Sequence, residues 1–172
     1  MDADPKQLEK LARLGRLDEL LSLVSLEESV DAWWRYQVRE RSEGDELADH
    51  PDWWAVELWL EGAIYERDDL AEQGLRMLAE RAPEGADLGY LGAGPIETFL
   101  EDEEEQLRWI EREAARSPNF RTALGTVWAW GFMSDASFLR LERAAGVRLA
   151  WDNSGDHGPR PEADVGGPDL DG

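Results

Sequence analysis

Residues 52–66 read Asp-Trp-Trp-Ala-Val-Glu-Leu-Trp-Leu-Glu-Gly-Ala-Ile-Tyr-Glu, and they carry apolar side chains in nearly every direction around a helix. On one side would lie Trp53, Val56, Leu60 and Ile64, and on another Ala55, Leu58, Trp59 and Ala63. Only Glu57 and Glu61 would meet water. A helix that is apolar almost all round is covered on most faces. The segment therefore predicts a central helix against which the others pack.

Local start and stop signals predict further helices on both sides of this segment. Ser25 with Glu28 three residues later forms a capping-box pattern. Ser117-Pro118 combines a cap with a proline at the first helical position, and Gly146 is a stop signal. A complete helical stripe follows the second cap, with members Phe120, Ala123, Leu124, Val127 and Trp128. We expect an all-α fold of seven or eight short helices in antiparallel hairpins, arranged as an α-solenoid-like stack or an orthogonal bundle.

The chain divides into one helical domain, residues 1–151, and an acidic tail, residues 152–172. The tail holds Gly, Pro and Asp with almost no large apolar residue, so we expect it to be disordered. The domain has enough apolar material for a core, since 42% of the 172 residues are hydrophobic and nine are tryptophan.

Charge and composition exclude several classes of protein. The chain has 39 acidic and 18 basic residues, a formal charge of −21 and no cysteine. This balance argues against direct binding of nucleic acid or an anionic membrane. With only His50 and His157, the sequence offers no Ser-His-Asp set, no His-rich metal site and no thiol chemistry. We expect no cofactor or metal and, without a signal peptide, a cytoplasmic location.

Two carboxylate features have an ordinary interpretation. Glu57 and Glu61 lie four residues apart and could share a proton or bind a divalent ion, but a solvated stripe or pairing with arginine is favoured. The acidic run comprises Glu101, Asp102, Glu103, Glu104 and Glu105. It is typical of a solvated helix junction, or it meets a basic partner.

The glycine-rich segment 86–94 is expected to be irregular, with Pro95 starting a short helix and Glu97 in its first turn. It lacks the Lys and Ser or Thr of a phosphate loop. Arg121 also lies in a first turn, where a cation is disfavoured. We expect it to pair with Glu97, and the alternative is that Arg121 binds a ligand or partner anion.

Adjacent tryptophans cannot both face the core from one side of a helix. Residues 33–34 and 53–54 are such pairs. We therefore expect one tryptophan of each pair to be partly exposed and take Trp34 and Trp53 as the candidate contact residues; burial of all four under different helices is the alternative.

Two motifs resemble an uncharacterised bacterial domain family. The first is Leu91-Gly92-Ala93-Gly94-Pro95-Ile96-Glu97, and the second, after Ala114-Ala115-Arg116, is Phe120-Arg121-x-Ala123-Leu124-x-x-Val127-Trp128. The resemblance covers roughly residues 27–130 and brings no established activity. It implies that Glu97, Arg121 and Trp128 form one spatial unit. The chain departs from the family in its acidic tail and final helix.

Three functional hypotheses follow. The first is a non-enzymatic interaction module, such as an inhibitor or immunity-type protein that masks a basic surface of a toxin or nucleic-acid enzyme. The second is a DNA mimic. The third is a small-ligand binder or enzyme with Glu97 and Arg121 in a pocket rimmed by Trp128 and Tyr90. In the first hypothesis the partner is a basic protein. The sequence leaves open whether the chain also forms a homo-oligomer.

Overall fold

The chain is all-helical over the residues that the computed structural model describes, which are 3–39, 49–60, 63–101, 103–129 and 131–150. The longer helices are α1 (Pro5–Arg13), α2 (Leu17–Leu23), α3 (Leu26–Gln37), α4 (Trp53–Leu60), α5 (Asp68–Glu80), α8 (Glu104–Arg116), α9 (Pro118–Leu124) and α10 (Asp135–Ala145). Two short helices are α6 (Gly89–Leu91) and α7 (Glu97–Phe99). The predicted fold class is confirmed. Asp102 and the predicted tail, residues 152–172, lie outside the described residues.

The central position of α4 is confirmed, although the helix is shorter than the apolar segment suggested. Trp54, Val56 and Trp59 are buried, and α4 packs against both α1 and α3. After Leu60 the described chain resumes as a 3₁₀ helix, Ala63–Glu66. Burial on several faces explains why this helix lacks the polar stripe of a surface helix.

The predicted caps are formed as the local sequence requires. The Ser25 hydroxyl accepts a hydrogen bond from the Glu28 N–H at 3.1 Å, and the Ser117 hydroxyl accepts one from the Phe120 N–H at 3.2 Å. Gly146 ends α10 in the left-handed region, at φ 72°. These signals lie within a few residues of the turns that they control, so the boundaries could be predicted.

Helices distant in the chain pack directly on one another. In addition to the α1–α4 contact, α5 packs on α9, from which α6, α7 and α8 separate it in the chain. In a solenoid each repeat touches only its neighbours in the chain. Of the two predicted arrangements, the contacts therefore favour a bundle.

The prediction that residues 86–94 are irregular is wrong for their second half. From Gly89 the chain runs through α6, a π-helical turn (Gly92–Ile96) and α7. Pro95 lies inside the π turn and does not begin a helix. A π turn suits proline, which has no N–H to donate and clashes with the preceding turn of a regular α-helix. Glycine is needed for packing here, because a Cβ on Gly92 would lie 2.0 Å from the Ala123 carbonyl oxygen.

Candidate functional site

Trp128 is the main exposed tryptophan of the described chain, at 58% exposure. The predicted stripe placed it on a helix, but α9 ends at Leu124, and the Thr126 hydroxyl donates to the Ala123 carbonyl oxygen at 2.8 Å. Val127 and Ala129, its neighbours in the chain, are fully buried. Alternate residues of a non-helical segment point to opposite sides. Burial of both neighbours therefore directs the indole of Trp128 into solvent.

The backbone of Trp128 is held by a carboxylate from another element. Glu97 Oε2 accepts a hydrogen bond from the Trp128 N–H at 2.9 Å, across 31 positions of sequence. Hydrogen bonds to an ionised acceptor are about twice as strong as neutral ones. The first residue of α7 thus fixes the loop that carries the exposed tryptophan, and we call this contact the Glu97–Trp128 clamp.

The two segments that form the clamp are supported by close backbone packing. The Cβ that Gly92 lacks would also lie 2.0 Å from Thr126 Oγ1, so the π turn sits directly against the end of α9. The hydroxyl of Tyr65 lies 2.6 Å from the Trp59 carbonyl oxygen and 3.1 Å from that of Pro95. Burial raises the pKa of Tyr65, so its hydroxyl stays protonated and donates. These contacts tie the clamp to the central helix.

Two other aromatic side chains of the described chain are exposed. Tyr90, in α6, is 40% exposed, and Phe132, in the turn before α10, is 48% exposed. Tyr90 was a sequence candidate, whereas Phe132 was missed because it belongs to no periodic pattern. The one local signal in the sequence is Gly131, directly before Phe132. In the structure this glycine has a φ of 90° and lies in a turn.

The expected pairing of Glu97 with Arg121 is wrong. Arg121 Nε donates to the Ala114 carbonyl oxygen at 3.0 Å, and Glu97 is bound to Trp128 instead. The Ala114 carbonyl lies in the last turn of α8, the negative end of that helix dipole. The expectation that Arg121 lies in a disfavoured first turn is also wrong, because α9 is so short that Arg121 belongs to its last turn, where a cation is favoured.

The pocket expected around Arg121 has different walls from those predicted. Its lining comes from α8, α9, α10 and Gly146, and includes neither Trp128 nor Tyr90. The structure thus brings Glu97 together with Trp128 but separates both from the Arg121 pocket.

Of the two other tryptophan candidates, Trp34 is buried, against expectation, whereas Trp53 is partly exposed, as the sequence predicted. Trp34 is 3% exposed, and its indole N–H donates to the Leu78 carbonyl oxygen at 2.9 Å. Trp53 is half-buried, and its indole N–H donates to Glu57 Oε1 at 2.7 Å. Adjacent tryptophans are accommodated because α3 and α4 each have neighbours on more than one side.

The carboxylates singled out in the sequence behave in different ways. Glu101, Glu103, Glu104 and Glu105 are exposed. Arg140 and then Arg108 lower the pKa of Glu104 by hydrogen bonding, so this acid belongs to an ion-pair network. Glu57 is largely buried and also accepts from Arg13 at 2.8 Å, which is the predicted pairing with arginine. Glu61 lies outside the described residues.

The fold and the clamp define a small all-helical domain that presents an anchored, exposed tryptophan. The chain belongs to a family described as a family of unknown function (DUF6869), whose model matches residues 42–148. No curated protein and no solved structure gave a significant match.

The family match covers residues 42–148, whereas the resemblance was predicted over roughly residues 27–130. Both motif segments lie within it, and so does α10, so the expectation that the final helix departs from the family is wrong. Within the described residues, no helix is long and apolar enough to cross a bilayer.

Proposed function

We propose that this protein is a non-enzymatic interaction module that binds a basic protein partner through the surface around Trp128. The carrying observation is the Glu97–Trp128 clamp: a tryptophan at 58% exposure whose backbone is fixed at 2.9 Å by a carboxylate from a distant element. A large exposed indole held on a rigid support loses little conformational freedom on binding, which is the property of an interface anchor.

The negative net charge of the chain supports a basic protein as the partner. A formal charge of −21 on 172 residues attracts a positively charged surface and speeds encounter with it. A toxin or an enzyme that acts on nucleic acid has such a surface, so an inhibitor or immunity-type role in a bacterial cytoplasm fits this charge. We assign the paired Leu-Gly-x-Gly-Pro and Phe-Arg-x-Ala-Leu motifs the task of building the support for Trp128.

The enzyme alternative loses its main support. It required Glu97 and Arg121 to share one pocket, and each has a different partner. Acid–base or nucleophilic chemistry requires groups within hydrogen-bond reach of one another. The clamp instead engages a backbone N–H, which is a positioning contact.

The test compares two exposed apolar residues of similar accessibility. The full chain and its Trp128→Ala variant are used as baits in an extract of the organism that encodes it, with Leu14→Ala as the control. Leu14 is 59% exposed and follows α1, on another part of the fold. A captured protein is then purified, and its association rate is measured at low and high salt.

We expect Trp128→Ala to weaken binding at least about tenfold, as for interface anchors, and Leu14→Ala to leave it unchanged. The association rate should fall steeply as salt is added. Equal binding by Trp128→Ala, or a rate insensitive to salt, would contradict the proposal.

A further inference from the structure

Three arginines line one open pocket of about 370 Å³. Arg121 comes from α9, and Arg140 and Arg143 come from α10. The remaining lining residues are Glu111, Ala115, Ala144 and Gly146. Three positive charges thus face one negative charge in a chain whose overall charge is −21.

Arg140 is already committed to carboxylates. Its Nε and Nη2 donate to the two oxygens of Glu111 at 2.8 and 2.9 Å, and its Nη1 donates to Glu104 at 2.6 Å. This arrangement neutralises Glu111 and fixes Arg140 as one wall of the pocket. Arg140 therefore shapes the pocket, and it is not the group that would bind a ligand.

Arg121 and Arg143 keep donors for a ligand. Among the described residues, only the Ala114 carbonyl oxygen binds Arg121, through Nε; this contact orients the guanidinium and leaves its Nη groups for a ligand. Arg143 is exposed and, within the part of the chain that the structure describes, makes neither a hydrogen bond nor an ion pair. The pocket thus combines one oriented guanidinium with one that makes no hydrogen bond or ion pair among the described residues, although its charge acts on Glu111.

Most described arginines are instead paired with carboxylates; Arg39, Arg112 and Arg148 form no ion pair with a described residue either, but they lie outside this pocket. Nine arginines of the described chain form ion pairs with carboxylates: Arg13, Arg16, Arg35, Arg67, Arg76, Arg81, Arg108, Arg116 and Arg140. A second pocket, lined by Arg16 and Arg67, has both guanidiniums paired with nearby acids. Like charges that share a pocket repel each other, and a bound anion removes that repulsion.

We propose that the pocket binds a small molecule through a phosphate group, held between Arg121 and Arg143. A phosphate dianion matches two guanidinium charges, and its oxygens fit the planar fork of arginine N–H donors. Ala115, Ala144 and Gly146 have little or no side chain, so the volume between the arginines stays open to the ligand. A pocket of this size suits a small ligand.

The test measures binding of inorganic phosphate to the full chain by calorimetry at constant ionic strength, with succinate as a second probe. Arg143→Gln removes a guanidinium that makes no hydrogen bond or ion pair with the described residues. Arg112→Gln is its control, because Arg112 is exposed on α8, outside the pocket, and the charge loss is the same. Ala115→Phe fills the pocket and leaves the charge unchanged.

We expect phosphate to bind the wild type, and Arg143→Gln to reduce the affinity about tenfold or more, as for a lost charge-assisted hydrogen bond. Arg112→Gln should retain it, and Ala115→Phe should abolish it. Equal losses in the two arginine variants, full binding by Ala115→Phe, no binding of phosphate at all, or binding of succinate in preference to phosphate would each overturn the proposal. Partner capture through Trp128 does not depend on Arg143, so the two proposals fail separately.

Discussion

Arg76 donates two hydrogen bonds to one carboxylate oxygen of Glu113, from Nε at 3.2 Å and from Nη2 at 2.9 Å. Arg116 donates to the other oxygen at 3.0 Å, so a buried carboxylate joins α5 to α8 with both oxygens occupied. We expect Glu113→Gln to lower the free energy of unfolding by about 1–2 kcal/mol, a buried ion-pair cost discounted because both arginines are partly exposed. Urea denaturation measures the change. Glu105→Gln, at an exposed acid, is the control and should leave stability nearly unchanged.

The same carboxylate makes stability depend on pH. Burial alone would raise the pKa of Glu113, but Arg76 and Arg116 outweigh burial and hold its pKa below the ordinary value. A lowered folded-state pKa stabilises the fold above the unfolded pKa, about 4.3, and this contribution is lost as the pH falls through the folded pKa. The stability difference between wild type and Glu113→Gln should therefore be constant near neutral pH and shrink below about pH 4. A difference that does not change down to pH 3 would contradict this origin.

Gly92→Ala should destabilise the protein although alanine favours helices. The new Cβ would lie 2.0 Å from both the Ala123 carbonyl oxygen and Thr126 Oγ1, and the carbonyl belongs to a packed helix that cannot move aside freely. We expect a loss of about 1–3 kcal/mol, typical of overpacking, measured by thermal or urea unfolding. Gly89→Ala is the matched control, because its Cβ would meet only the Asp87 side chain at 2.9 Å. Equal effects of the two substitutions would contradict a specific contact at Gly92.

The features that sequence reasoning predicted are those set by neighbouring residues. The caps at Ser25 and Ser117 and the stop at Gly146 each depend on a few local positions. The central burial of α4 could also be predicted, because a helix without a polar face is stable only when other elements cover it.

The features that it missed depend on contacts between distant segments. The sequence suggests that Gly92 is an ordinary loop residue. Only the packing of α9 against it shows why glycine is needed at this position. Trp128 continues a helical stripe, but a carboxylate 31 positions away binds its N–H outside any helix. The Arg121 pocket needs residues of α10 that lie about one helical turn apart, Arg140 and Arg143, and no motif links them to Arg121.

Gly74 and Trp59 form a complementary pair in the core. A Cβ on Gly74 would lie 2.0 Å from Trp59 Cη2, and Trp59 is fully buried. Gly74→Ala should therefore cost about 1–3 kcal/mol, and Trp59→Phe should cost a similar amount by leaving a cavity. In the double variant the smaller ring leaves room for the methyl group. We expect its loss to be smaller than the two single losses added together, by about 0.5 kcal/mol or more, and strict additivity in urea denaturation would contradict the contact.

The Glu97–Trp128 clamp makes a prediction that needs no partner. Glu97→Ala removes the acceptor of the Trp128 N–H, so hydrogen exchange at that amide should accelerate about tenfold or more, the effect of losing a hydrogen bond to a charged group. The Val127 amide is an internal control, because it donates to the Leu124 carbonyl oxygen at 3.3 Å and should keep its rate. NMR-detected exchange resolves the two adjacent amides.

Two further variants separate the hydrogen bond from the loss of charge. Glu97→Gln keeps a neutral acceptor, so exchange at the Trp128 amide should be intermediate between wild type and Glu97→Ala. Glu101→Ala removes a nearby exposed charge without touching the clamp and should leave the rate at wild type. If Glu97→Ala leaves the Trp128 amide as slow as in the wild type, the clamp does not hold this loop. Trp128 would then have no rigid support for docking, since pre-organisation is what lets an exposed side chain act as an anchor.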